Sequence, residues 1–121
     1  MKTYRDLLVW QKSMVLVTEI YKLSKSFPKY ETYGLTSQMR RCAVSIPSNI
    51  AEGYGRNSTL DYIRFLRLAA GSLYELQTQI EISLNLLYLN KIDFDQLYES
   101  SREIERMLSS LTKKLNDKQM K

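Results

Sequence analysis

The chain has 121 residues, 44% hydrophobic and 26% charged, a balance that suits one folded domain and excludes a disordered polymer. Four glycines and two prolines are too few for the many turns of a β-rich domain. The net charge is +5, and with no histidine and one cysteine, Cys42, the chain lacks the usual general base, an intramolecular disulfide and a thiolate zinc site.

The charge is uneven. Residues 1–70 carry eleven Lys/Arg against five Asp/Glu, and residues 71–121 carry seven against eight. A basic half points either to an acidic partner, whether nucleic acid, an anionic membrane or an acidic protein, or to nothing more than a positive surface. No apolar run approaches the roughly 20 residues that span a bilayer, and Lys2, Arg5 and Asp6 interrupt any signal-like start. A cytoplasmic protein without a membrane partner is expected.

The first helix is predicted from about Asp6, as N-cap, to Ser26. Leu7, Trp10, Met14, Val17 and Tyr21 repeat at steps of three and four and form its inner face, widened by Leu16, Ile20 and Leu23. Pro28 stops it. The second helix is predicted over 35–54, with Thr36 or Ser37 as cap and Met39, Ala43, Ile46 and Ile50 as apolar set. Pro47 falls inside this pattern and predicts a kink. Gly53 and Gly55 are read as its stop.

The third helix is predicted over 59–89, capped by Ser58. Ile63, Leu66, Ala70, Leu73, Gln77, Ile80, Leu84 and Leu87 form a heptad seam, and Ala69-Ala70-Gly71-Ser72 permits a close helix approach. The fourth is predicted over 94–115, starting at an Asp93-x-x-Gln96 box, with Leu97, Ile104, Leu108, Leu111 and Leu115 inward and a frayed tail after it. Four amphipathic helices on short connections predict an all-α, antiparallel up-down four-helix bundle. The second and third helices are apolar over more than one stripe, so either the bundle core takes both faces or, the favoured reading, they also face neighbours in a homo-oligomer.

Two features are candidates for recognition. Arg40, Arg41, Arg56, Arg64 and Arg67 cluster in sequence around the junction of helices two and three, where they could track phosphates, with Tyr54 and Tyr62 near enough to stack on bases. Along helix two, Gln38, Arg41, Ser45, Asn49, Glu52 and Arg56 form a polar face. That face serves either a ligand or a salt-bridged solvated surface, Glu52 standing four residues before Arg56. Lys22, Lys25 and Lys29 are explained by the dipole at the end of helix one, and Tyr21 and Tyr74 by packing. No metal cluster, phosphate-cradling glycine loop or nucleophile elbow is present, so no enzyme is expected. A helical enzyme built from Arg, Glu and Gln, like helical chorismate mutases, is the remote alternative.

Three stretches carry a resemblance. They are Tyr4-Arg5-Asp6-Leu7-Leu8-Val9-Trp10-Gln11-Lys12, then Tyr33-Gly34-Leu35-Thr36-Ser37-Gln38-Met39-Arg40-Arg41 continuing Ala43-Val44-Ser45-Ile46-Pro47-Ser48-Asn49-Ile50-Ala51-Glu52-Gly53, and Phe65-Leu66-Arg67 with Gly71-Ser72-Leu73 and Glu75-Leu76. Together they resemble the bacterial four helix bundle protein family, also called the 23S rRNA intervening-sequence-encoded protein family, over most of residues 4–90. Cys42 replaces the usual small Ala, and helix four matches in pattern only. The resemblance implies a four-helix protomer in an oligomer, a pentameric ring, associated with intervening sequences in rRNA genes. Accessory proteins of diversity-generating retroelements, basic rings that work with nucleic acid and a reverse transcriptase, look similar. No catalytic residue or cofactor comes with it. The expected function is therefore a non-catalytic oligomeric protein that binds RNA or DNA, and the alternative is an oligomeric scaffold for a protein partner.

Overall fold

The computed structural model describes residues 1–120. It opens with a 3-10 turn at Tyr4–Asp6, closed reciprocally: Thr3 Oγ1 accepts from the Arg5 amide at 3.1 Å, and Asp6 accepts from the Lys2 and Thr3 amides at 2.7 and 3.1 Å. Those two amides hold the Asp6 carboxyl below its ordinary range. Asp6 thus caps backward rather than forward. Leu7 is extended, and the first long helix, α1, runs Leu8–Ser24 without a side-chain cap.

The inner face of α1 is rotated from the predicted one. Val9, Ser13, Leu16, Ile20 and Ser24 are buried, Trp10 and Val17 are half-buried, and Met14 and Tyr21 are exposed. Ser13 sits in the core because its hydroxyl donates to the Val9 carbonyl at 2.7 Å, which removes the cost of burying it. A pattern drawn from apolar residues alone cannot place such a serine.

The second helix, α2, runs Leu35–Tyr54 and passes through Pro47 unbroken. Proline has no N–H, so the Ala43 carbonyl loses its helical donor. Ser48 and Asn49 back-bond to the next two carbonyls, Val44 and Ser45, each at 2.8 Å. Neither Thr36 nor Ser37 is the cap: Gly34 holds that position and offers no side chain. Gly53 is not the stop either. It lies buried inside the helix, against Tyr62 and Phe65. Gly55 ends the helix in right-handed geometry, φ −80°.

The third helix, α3, runs Thr59–Asn85, with Ser58 Oγ accepting from the Asp61 amide at 3.0 Å. It stops short of Leu89. Leu87 turns left-handed, φ 63°, while the Leu87 and Tyr88 amides bond back to Leu84 and Ser83 at 3.0 and 2.8 Å. This is a Schellman closure with leucine where glycine is usual. It leaves Leu87 87% exposed and carries Leu89 into the core.

The fourth helix, α4, runs Lys91–Gln119 and starts one turn earlier than the Asp93 box predicts, because Asn90 Oδ1 accepts from the Asp93 amide at 2.7 Å. The polar residues beyond Leu115 extend the helix to Gln119.

Each helix packs against the one before it in sequence, and α4 closes back on α1, giving an antiparallel up-down four-helix bundle with no strand among the described residues. Ile20, Met39, Ile50, Leu66, Leu73, Ile80 and Ile104 are buried to within 1% of complete exclusion from solvent. Each such side chain contributes about 1.5–3 kcal/mol by burial. No described helix is long and apolar enough to cross a membrane.

Candidate nucleic-acid interface

The α1–α2 turn brings the C-terminus of α1 beside the first turns of α2. Arg40 reaches across: its Nε donates to Ser24 Oγ at 2.9 Å, its NH2 to the Tyr21 carbonyl at 3.3 Å, and its guanidinium carbon lies 4.7 Å from the Tyr21 ring centroid. The cation thus satisfies the Tyr21 carbonyl near the negative end of α1 while stacking on an aromatic face. Arg41, on the next position of α2, folds back toward Ser37 Oγ at 3.4 Å. A groove of about 470 Å³ between them is lined by Tyr21, Tyr33, Thr36, Ser37, Arg40 and Arg41.

Among the described residues, neither Arg40 nor Arg41 has a carboxylate within ion-pair distance. Tyr33 is 97% exposed beside them, and Lys25 stands one helical turn beyond Tyr21 on the same side of α1. Lysines attributed to the helix dipole and a tyrosine attributed to packing therefore share one end of the bundle with two unpaired arginines. The signal in the sequence was the tyrosine and lysine spacing Tyr21, Lys22, Lys25, Lys29, Tyr30 and Tyr33, which belongs to a surface rather than to a core stripe.

The other three arginines lie elsewhere. Arg56 lies just past the end of α2, and the helix from Arg41 to Tyr54 already spans about 20 Å along its axis. Arg56 and Arg64 flank the Phe65 ring, with guanidinium carbons 4.6 and 4.5 Å from its centroid. Both meet Asp61, at 3.7 and 2.9 Å, and Arg56 also meets Glu52 at 3.0 Å. Two cations share two carboxylates, so little net field is left for a polyanion. Arg67 lies in a different groove, between α3 and α4, with Glu105 and Lys113. Tyr54 and Tyr62 pack on each other edge to face at 6.1 Å and are half-buried, and burial raises the Tyr62 hydroxyl pKa.

The polar face of α2 is used within the bundle over most of its length. Ser45 Oγ meets Ser72 Oγ of α3 at 2.9 Å, and Asn49 donates to both the carbonyl and the hydroxyl of Ser45, at 2.8 and 2.9 Å. Cys42 donates to Glu75 Oε2 at 3.2 Å. Burial, then that carboxylate, pushes the thiol up to about 11. Gln38 lines the groove between α2 and α3 beside Cys42 and Glu75. Among the described residues no group of three His, Cys, Asp or Glu is placed to hold a metal ion.

The model of the 23S rRNA-intervening sequence protein family matches residues 5–110. A crystal structure of a protein of unknown function from the S23 ribosomal protein family of Bacteroides thetaiotaomicron is similar. It superposes with a TM-score of 0.82 at 25% identity, over 88% of this chain and 99% of that one. No curated protein sequence matches. The arrangement of helices and the sequence from Arg5 through Ser110 therefore agree, and this chain belongs to the 23S rRNA-intervening sequence protein family.

Proposed function

We propose that this protein is a non-catalytic, oligomeric binding protein that engages RNA or DNA through the end of the bundle formed by Tyr21, Lys25, Tyr33, Arg40 and Arg41. The observation that supports it is the contrast between arginines. Arg56 and Arg64 are tied to carboxylates, whereas Arg40 and Arg41 stand free of them beside exposed tyrosines. Unpaired cations interleaved with aromatic faces suit a phosphate backbone and the bases it carries. The family's name, drawn from 23S rRNA intervening sequences, is consistent with a nucleic-acid partner.

Fluorescence anisotropy with a structured RNA and a matched DNA duplex across a salt series tests this. Affinity is expected to fall with salt at a log–log slope of several units, each neutralised phosphate contributing about 0.7–0.9. Lys25→Glu with Arg41→Glu is expected to abolish binding at moderate salt, and Arg56→Glu with Arg64→Glu to weaken it less. If neither polymer binds at low salt, or the Lys25/Arg41 variant binds like the parent, the reading fails.

One observation favours a second reading, an oligomeric scaffold for a protein partner. Leu60, Leu68 and Ile82 of α3, with Leu86 just past its end, are exposed within about 80° of one another by helical arithmetic, an arc that also carries Arg64, Glu75 and Thr78. Gly71 lies in the same stripe, with open space where a β-carbon would stand. Such a stripe suits a helix from another protomer or another protein. Light scattering gives the protomer count, and a pull-down partner that survives nuclease would favour the scaffold.

A further inference from the structure

We propose that the groove between the start of α1 and the C-terminal half of α4 docks an acidic amphipathic helix of a partner protein. This groove lies at the opposite end of the bundle from Arg40 and Arg41, shares no residue with the α3 stripe, and does not depend on what the basic end binds.

The floor is aliphatic. Leu7 and Val9 are buried, Met107 and Leu111 are half-buried, and Leu8 is 55% exposed, around a space of about 440 Å³. No aromatic ring lines it, so bases would have nothing to stack on, whereas leucines from a partner helix would leave water there. At one end the groove is bounded by Lys12 Nζ of α1, which meets Glu103 Oε1 of α4 at 3.0 Å. At the other it is open, because the Tyr4–Asp6 turn packs on α1 and α2 rather than on α4, and α4 continues to Gln119. From Glu103 to Lys114 the α4 wall spans about three turns, roughly 16 Å, enough for a short helix to lie along it.

The charges select the partner. Glu103, the carboxylate of the groove, is engaged by Lys12. Arg106 and Lys114 are exposed on the α4 wall, and among the described residues neither has a carboxylate within ion-pair distance. The helix dipole explains a cation near the C-terminus, as at Lys114, but not Arg106, which stands more than about three turns before Gln119. The two cations are about 12 Å apart along α4. A single-headed amphiphile such as a fatty acid would meet one of them. A helix with carboxylates about two turns apart would meet both, while its leucines fill the floor between them.

The test uses the full chain and a fluorescein-labelled synthetic peptide of about 15 residues, with leucines on one helical face and flanking glutamates about two turns apart. Two further peptides serve as references: a scramble of the same composition that breaks the apolar face, and a twin with lysine for each glutamate. In fluorescence anisotropy the acidic amphipathic peptide is expected to bind saturably, and both references at least about tenfold more weakly. Arg106→Glu with Lys114→Glu should weaken binding about a hundredfold, and Leu8→Ser about tenfold. All three side chains are exposed, so circular dichroism should show the fold unchanged. Lys22→Glu with Lys29→Glu makes the same change of net charge at the other end and should leave affinity within about twofold. If the scramble binds as well as the amphipathic peptide, or the two charge reversals weaken binding equally, only net charge is read and the proposal is overturned. A short RNA that displaces the peptide would assign the groove to a polyanion, and a protomer count altered by Leu8→Ser in light scattering would assign it to a contact between copies; either result overturns the proposal.

Discussion

Gly53 of α2 and Phe65 of α3 stand so close that a β-carbon on Gly53 would come within 2.7 Å of the Phe65 β-carbon. The crossing of these two helices is set there, and the same Phe65 ring carries Arg56 and Arg64. Gly53→Ala gains about 1 kcal/mol of helix propensity but overpacks this contact at a cost of about 1–3 kcal/mol. The expected outcome is a lower melting temperature by calorimetry. Gly55→Ala is the control, because its β-carbon would meet only carbonyl oxygens, at 3.7 and 3.9 Å.

Leu87 makes the opposite prediction. Its left-handed backbone is strained for leucine, and its side chain is 87% exposed, so it returns little in packing. Leu87→Gly should keep the Schellman hydrogen bonds and stabilise the protein by about 1 kcal/mol, seen as a higher denaturant midpoint. A lower midpoint would mean that the leucine is covered by another protomer.

Thr36→Val replaces a buried, unpartnered hydroxyl with a methyl of the same shape. The free protein should gain about 1 kcal/mol. Melting curves of the two proteins provide the check.

Cys42 should be a poor nucleophile near neutrality. Burial and the Glu75 carboxylate move its thiol from 9.0 to about 11. Alkylation should be slow at pH 8 and accelerate toward pH 11, and Glu75→Gln should speed it at pH 8 by lowering the pKa. The linked effect on folding has a definite sign. Between 9.0 and about 11 the folded chain keeps a proton that the unfolded chain has lost, so this group makes stability fall as pH rises through that window.

The bundle was legible in the sequence because α2, α3 and α4 bury leucine and isoleucine at helical spacing. Three of the departures share a physical origin: a small polar group satisfied locally. Ser13 bonds to its own helix and rotates the face of α1. Asn90 caps a turn before the acidic box, and Asp6 reaches backward. The candidate site was half legible. Arg40 and Arg41 were visible, but their separation from Arg56, Arg64 and Arg67 depends on where side chains end, as do the carboxylates that neutralise Arg56 and Arg64. Tyr21 looked like core because its spacing suits a stripe, and only the packed helices show it facing outward under Arg40.

Arg40 also bears on how fast a ligand would leave. Most surface cations lose their rotamer freedom when a ligand arrives, at about 0.5–1.5 kcal/mol for each side chain ordered. Arg40 is already fixed by Ser24, the Tyr21 carbonyl and the Tyr21 ring, so its ordering is lost on folding rather than on binding. Lysine at this position would carry the same charge without the fork that grips both partners. It would meet a polyanion as often and hold it for less time, so the pinning of Arg40 belongs to residence time rather than to encounter.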